Sequence, residues 1–98
     1  MAEKRPTYAS FKKKALMDSE VREEYEALKP FYDIKLKLIK MRKEANLTQE
    51  DIAKIMHTKR SNISRLESLD YNAAPRITTL MAYAEATGHT LDIHFKKS

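Results

Sequence analysis

Two short amphipathic helical patterns, separated by a tight turn, restrict the fold of this chain more than any other feature of its sequence. The first covers residues 48–56, where Thr48 and Asp51 have the spacing of an N-terminal capping box. The second covers residues 59–67, and Thr58 before it is a candidate N-cap. The residues expected to face inward from the two patterns are Ile52, Ala53, Ile55, Met56, Ile63 and Leu66. Two helices joined this closely predict a helix-turn-helix.

Two further helical patterns precede this pair and meet at Pro30. Because proline disfavours a helical conformation of the residue before it, the sequence predicts one helix over residues 18–29 and another over about 31–45. Either Asp18 or Ser19 can cap the first of them. The second has an apolar face for the core, with Ile34, Leu38, Met41 and Ala45, and an opposite apolar face with Tyr32, Leu36 and Ile39. That opposite face is expected to pack on the preceding helix or on a partner.

After the central pair, the sequence predicts a last helix over residues 78–87, ended by Gly88, and then a change of period. The inward residues of this helix are expected to be Ile77, Leu80, Met81 and Ala84. Residues 89–98 contain the only strand candidate, which alternates polar and apolar residues and places Leu91, Ile93 and Phe95 on one side. A single strand leaves its backbone groups unpaired, so we expect it to pair with a second copy of the chain in an antiparallel ribbon.

Composition favours a mostly helical single domain and excludes several classes of site. The 98 residues include no Cys, which removes disulfides, thiolate nucleophiles and thiolate metal sites. The single glycine excludes a glycine-rich phosphate loop. Because His57, His89 and His94 are scattered, without a metal-ligand spacing or a nearby nucleophile, we expect no metal, no cofactor and no enzyme activity.

The net charge of +5 is distributed unevenly. Residues 1–17 carry five basic residues against one acidic residue and show no sustained period, so they are expected to form a mobile basic arm. Residues 18–30 carry five acidic residues against two basic ones. A net charge of this size favours a polyanionic partner, but it is also an ordinary solubilising charge. The sequence shows no targeting signal and no membrane-spanning stretch, so we expect a cytoplasmic protein.

The polar residues of the second motif helix have the chemistry of a DNA-reading surface. Arg60 and Arg65 suit bidentate contact with guanine, and Asn62 suits adenine. Lys59 is better suited to phosphate, while Ser61 can reach bases or phosphate. Taken by itself, this helix is equally compatible with an ordinary solvated face.

The whole segment LTQEDIAKIMHTKRSNISRLES resembles the lambda-repressor/Xre-like helix-turn-helix family, whose pattern is L-T-Q-x-x-(L/I)-A, a turn, and (I/V)-S-R-(L/I)-E. The resemblance covers residues 31–88 and implies a five-helix DNA-binding domain, here with an N-terminal helix or arm and a C-terminal strand. It implies that Arg42 and Glu67 form a structural ion pair. The residues that it implies for DNA contact, with Gln49 on phosphate, are Gln49, Thr58, Lys59, Arg60, Ser61, Asn62, Ser64 and Arg65. The sequence departs from the pattern at Asn46 and His57, which replace glycines; both residue types tolerate positive φ better than most.

The flanks refine this resemblance. Residues 18–30, leading directly into the L-T-Q domain, resemble the HigA class of type II antitoxins, which repress their own operon as dimers and neutralise a RelE/HigB-like mRNA nuclease. Such toxins are basic, and residues 18–30 form the acidic segment of this chain. The resemblance makes the following residues candidates for toxin contact: Val21, Tyr25, Leu28, Tyr32, Leu36 and Ile39. A stand-alone dimeric Xre-type repressor without a toxin has the same helix-turn-helix and stays open as the alternative; the basic arm could contact DNA phosphate or lie free.

Overall fold

Five α-helices form the part of the chain that the computed structural model describes, residues 7–70 and 74–97. They are α1 (Tyr8–Met17), α2 (Ser19–Glu44), α3 (Gln49–Ile55), α4 (Arg60–Glu67) and α5 (Ile77–Ala86). The prediction of a mostly helical protein with a helix-turn-helix is confirmed, and α3 and α4 are its two helices. None of the described helices is both long enough and apolar enough to cross a membrane.

α1 and the N-terminal half of α2 form an antiparallel helical hairpin joined by one residue. Asp18 ends α1 and caps α2, where its carboxylate accepts the backbone N–H of Glu20 at 2.9 Å. The guanidinium of Arg22 donates to the carbonyls of Ala15 and Leu16 at 3.3 and 3.4 Å. These bonds satisfy carbonyls that have no partner inside α1, so the end of α1 is fixed on α2.

Four aromatic side chains hold the hairpin together. Tyr8 and Phe11 of α1 pack on Tyr25 and Tyr32 of α2, with ring centroids between 4.6 and 6.5 Å apart. The prediction of an arm without regular structure is therefore wrong for residues 8–17, while residues 1–6 lie outside the described residues. The helix was missed because only three of its positions face α2, at the spacing i, i+3 and i+7 that Tyr8, Phe11 and Ala15 provide.

Pro30 lies inside α2, so the predicted break between residues 18–29 and 31–45 is wrong. A proline in a helix interior removes a backbone donor and crowds the preceding turn. Tyr25 lies before Pro30 and Tyr32 after it, and both pack on α1. Burial on both sides of the proline offsets its cost and keeps α2 continuous.

Three helices end in the same way. Asn46, His57 and Gly88 adopt positive φ values of 59°, 55° and 78° directly after the C-caps of α2, α3 and α5. In each case the next residue donates its N–H to a backbone carbonyl of the last helical turn. The acceptors are the carbonyls of Arg42 at 3.1 Å, Ala53 at 2.9 Å and Ala84 at 2.7 Å. This is the Schellman motif, and Asn46 and His57 adopt the positive φ that their residue types tolerate better than most.

The core lies where the C-terminal half of α2 meets α3, α4 and α5. Its buried members are Leu38, Ile52, Ala53, Ile63 and Tyr83. Four residues expected to face inward are instead exposed: Ile34, Ile55, Ile77 and Met81. The buried positions of α2 are Tyr32, Lys35 and Leu38, and those of α5 are Tyr83 and Ala84. The buried faces of α2 and α5 thus differ from the predicted ones. They include Lys35 and Tyr83, whose polar groups have hydrogen-bond partners inside the protein.

The C-terminal residues 89–97 contain no regular structure, and no strand occurs within the described ranges. Asp92 and His94 lie on one side of the chain, where their side chains contact each other at 2.9 Å. Ile93 is 50% exposed and Phe95 is 96% exposed. The predicted strand and its pairing across a dimer stay a prediction, because such a strand would form only by pairing with a second copy of the chain.

Candidate nucleic-acid interface

The N-terminal end of α4 is open. The helix begins at Arg60, its N-cap is Lys59, and no side chain caps its backbone. The prediction that Thr58 caps this helix is wrong, because the Thr58 N–H closes the turn after α3 and its hydroxyl accepts from Nδ2 of Asn62 at 2.8 Å. Thr58 therefore belongs to the preceding turn, and backbone N–H groups at the start of α4 have no side-chain partner.

The polar face of α4 points to solvent, and Ile63 and Leu66 pack on the core. Six of the predicted DNA contacts are exposed: Lys59, Arg60, Ser61, Asn62, Ser64 and Arg65. Two more, Gln49 and Thr58, are half-buried. Arg65 also lines an open cleft of about 780 Å³ between α4 and the start of α5, together with Thr58, Asn62 and Arg76. The structure thus brings Thr58, Asn62 and Arg65 together at this cleft, while Gln49 and Arg60 line a second cleft beside Arg42.

The C-terminal end of α4 is fixed by a buried carboxylate. Glu67 is 4% exposed, and each of its two oxygens accepts hydrogen bonds from two side chains. Arg42 donates to both oxygens at 2.9 Å, from Nε and Nη2. The Arg42 guanidinium also donates to the carbonyl of Leu47 at 3.1 Å. The structure therefore brings Arg42 and Glu67 together as a two-point ion pair between α2 and α4, a geometry that arginine suits better than lysine.

Gln49 takes part in this network. Its Nε2 donates to Oε1 of Glu67 at 3.2 Å. Gln49 was predicted to contact phosphate, and the structure adds a hydrogen bond to Glu67 that the sequence did not indicate. One amide hydrogen of Gln49 remains for another acceptor.

Tyr83 is the third partner of Glu67 and was missed. It is fully buried in α5, and its hydroxyl lies 2.8 Å from Oε2 of Glu67 and 2.9 Å from the carbonyl of Leu38. Burial, and then the hydrogen bond to Glu67, raise the pKa of Tyr83 well above its ordinary value. A buried phenol needs a hydrogen-bond partner, and this requirement could have indicated a polar group inside the core.

Lys35 was also missed. It is 2% exposed, and its ammonium donates to the carbonyls of Leu66 at 2.8 Å and Arg65 at 3.3 Å. Burial lowers the pKa of Lys35. The available signal was its spacing of three residues from Tyr32 and from Leu38, which places it on the same face of α2.

The candidate toxin contacts divide into covered and open residues. Tyr32 is buried, and it packs with Tyr25 against α1, so Tyr32 does not lie on an exposed surface. The reason is α1 itself, which the sequence did not predict. Val21, Leu28 and Ile39 are half-buried, whereas Leu36 is 45% exposed.

No group of three metal-ligating side chains is close enough to hold an ion within residues 7–70 and 74–97. His57 lies in the turn after α3 and adopts positive φ. His89 contacts Thr87, and His94 contacts Asp92. The three histidines therefore lie in separate local structures.

The comparison with protein families agrees with the helix-turn-helix seen in the structure. The helix-turn-helix family HTH_3 matches residues 38–93, which begin at the core residue Leu38 and contain α3, α4 and α5. No curated protein and no solved structure matches the chain. Because the match covers more than half of the chain and includes the whole polar face of α4, the chain belongs to the HTH_3 family of helix-turn-helix DNA-binding transcription regulators.

Proposed function

We propose that this protein is an antitoxin that binds operator DNA, represses its own operon and neutralises a RelE/HigB-like mRNA nuclease. The observation that carries the DNA-binding part is the exposed polar face of α4, supported from behind by the Glu67 network. An α-helix fits the major groove, where side chains can reach base edges. α4 is the recognition helix in this proposal.

The exposed polar residues of α4 and its N-cap Lys59 each have a chemical role in the proposal. Arg60 and Arg65 read guanine through bidentate contacts, and Asn62 reads adenine. Lys59 binds phosphate, and the serines bind either bases or phosphate. Gln49 uses its remaining amide hydrogen for phosphate at the start of α3.

A titration of the protein's own promoter DNA against salt tests this part. We expect sequence-specific binding whose affinity falls steeply as the salt concentration rises, because phosphate contacts release counterions. A scrambled duplex of the same length is the control. No preference for the promoter at low salt would contradict the proposal.

The second element of the proposal is a dimer formed through the C-terminal residues. The exposed apolar residues of α5 and the tail are Ile77, Met81, Ile93 and Phe95. Antiparallel pairing of residues 91–95 with a second copy would cover this apolar surface and place two α4 helices about one helical turn of DNA apart. Truncation after Gly88 should give a monomer with weaker operator binding; a dimer with unchanged affinity would contradict it.

The third element is the toxin contact. Exposed carboxylates near the start of α2 include Glu20, Glu23, Glu24 and Glu26, and Leu36 adds an exposed apolar contact further along the helix. This combination fits a basic partner. The test is co-purification with the product of the neighbouring reading frame, comparing the protein with a Glu23→Lys/Glu24→Lys/Glu26→Lys variant. We expect the variant to lose the partner and keep operator binding.

One observation favours the alternative, a stand-alone dimeric repressor. α1 already covers Tyr25 and Tyr32, so this part of α2 has an intramolecular partner. A neighbouring product that does not bind would support the stand-alone repressor and leave the DNA-binding proposal intact.

A further inference from the structure

Lys35 is a buried cation that joins α2 to the end of α4. Its ammonium donates to the backbone carbonyls of Arg65 and Leu66, which lie in the last turn of α4. Burying an ammonium is unfavourable unless hydrogen bonds compensate for lost water. The carbonyls at a helix C-terminus lie at the negative end of the helix dipole and lack their i+4 partners, although the Arg65 carbonyl also accepts the Ser68 N–H at 3.2 Å.

One of these carbonyls belongs to a residue with a proposed DNA contact. The Arg65 carbonyl accepts from Lys35, whereas the Arg65 side chain is exposed on the polar face of α4. The bond therefore acts on the backbone from which that guanidinium extends. Since α4 has only eight residues, a constraint at one position affects the orientation of the whole helix.

A second contact links the hairpin to the same end of α4. The backbone N–H of Tyr8, at the start of α1, donates to the carboxylate of Asp70, three residues after α4. Tyr8 also packs on Tyr32, which lies three residues before Lys35 on α2. The α1–α2 hairpin thus reaches the recognition helix through Lys35 and through Asp70.

We infer that Lys35 is a positioning residue for DNA recognition, which sets the backbone of Arg65 relative to α2 without touching DNA. The inference rests on the proposed binding of DNA by α4. Loss of the ammonium should reduce discrimination between operator and other DNA more than it reduces attraction to phosphate. Substitution of Lys35 should therefore lower sequence discrimination, whereas removal of a surface cation should lower affinity for all DNA alike.

The matched pair of variants is Lys35→Met and Lys37→Met. Both remove one positive charge from α2, but Lys37 is exposed. We expect the ratio of operator affinity to scrambled-duplex affinity to fall about threefold to thirtyfold in Lys35→Met, as for mutations that couple to a site without contacting its ligand. The ratio in Lys37→Met should stay at the wild-type value. The slope of log affinity against log salt should be the same in both variants.

A double-variant cycle with Arg65→Ala separates positioning from general stability. If Lys35 acts through Arg65, Lys35→Met should cost less specificity in the Arg65→Ala background than in the wild type. Should Lys35→Met not fold, Lys35→Arg takes its place in the cycle, because it keeps the cation but alters the donor positions. Equal specificity ratios for the Lys35 and Lys37 variants, or full additivity with Arg65→Ala, would overturn the inference. A wild-type protein without operator preference would instead remove the proposed function on which the inference rests.

Discussion

The two ends of α4, the proposed recognition helix, are built from opposite kinds of contact. At its N-terminal end α4 has no side-chain cap, and Lys59 and Arg60 are exposed. At its C-terminal end the carboxylate of Glu67 is buried, and Lys35 binds the last carbonyls. A helix of eight residues is unstable without tertiary contacts. The difference indicates that α4 obtains its orientation at one end and leaves the donors at the other end free for a ligand.

The largest expected effect comes from removing the main partner of Glu67. Arg42→Ala deletes both guanidinium bonds to a carboxylate that is 4% exposed. We expect the free energy of unfolding to fall by about 3–5 kcal/mol, because the buried charge loses its counterion. Urea denaturation measures this change.

A double variant sharpens the same test. Arg42→Met combined with Glu67→Met replaces the ion pair by apolar groups, and such replacements are often tolerated. We expect it to lose less stability than Arg42→Ala. A loss below about 1 kcal/mol in Arg42→Ala would mean that the buried end does not depend on this pair.

Tyr83→Phe is the next test of the buried end. It removes a hydroxyl that bonds the Glu67 carboxylate at 2.8 Å, and hydrogen bonds to charged groups contribute about 1.5–3 kcal/mol. Because burial raises the pKa of Tyr83 above its ordinary value of 10, its contribution to stability is complete below pH 10 and declines as the pH rises further. The difference in unfolding free energy between wild type and variant should therefore shrink above pH 10. Parallel urea titrations at neutral and alkaline pH measure it; a difference that grows above pH 10 would contradict this account.

The contrast between the ends also explains which parts of the fold could be predicted. The capping box of Thr48 and Asp51 and the positive φ of Asn46 and His57 depend on residues within one turn, so the sequence indicated them. α1 depends on aromatic contacts between residues 14 or more apart, and only three of its positions face α2. The continuity of α2 through Pro30 depends on the same contacts. Local signals could not reveal either feature.

The candidate site divides in the same way. The exposed residues of α4 were predictable because a short motif and a helical period identify the face of Ile63 and Leu66, and the polar residues before Glu67 lie on the other side of the helix. Lys35 and Tyr83 were not predictable because each looks typical of another environment. A lysine is expected at the surface and a tyrosine hydroxyl in water, unless the fold supplies partners. Here those partners lie at least 16 residues away in the chain.

On the exposed polar side of α4 and its N-cap, Arg65→Ala and Lys59→Ala should differ in kind. We expect Arg65→Ala to cost about 1–3 kcal/mol of operator binding and to relax the preference at one base pair. Lys59→Ala should weaken binding to all sequences alike and lower the salt slope by about 1. Fluorescence anisotropy with operator duplexes changed at single positions distinguishes the two outcomes. If both variants bind like the wild type, α4 does not present these side chains to DNA.

The smallest expected effect tests whether the start of α4 is open. Thr48 caps α3, where its hydroxyl accepts the Asp51 N–H at 3.0 Å, so Thr48→Ala should lower the unfolding free energy by about 1 kcal/mol. The Thr58 hydroxyl accepts from the exposed side chain of Asn62, and Thr58→Ala should therefore change stability by less than about 0.5 kcal/mol. Urea denaturation of the two variants gives a direct comparison, because both remove the same hydroxyl and methyl groups from a threonine that lies within two residues of the start of a motif helix. Equal losses would mean that a side chain caps α4 as well, and the difference between its two ends would then lie only in the burial of Glu67 and Lys35.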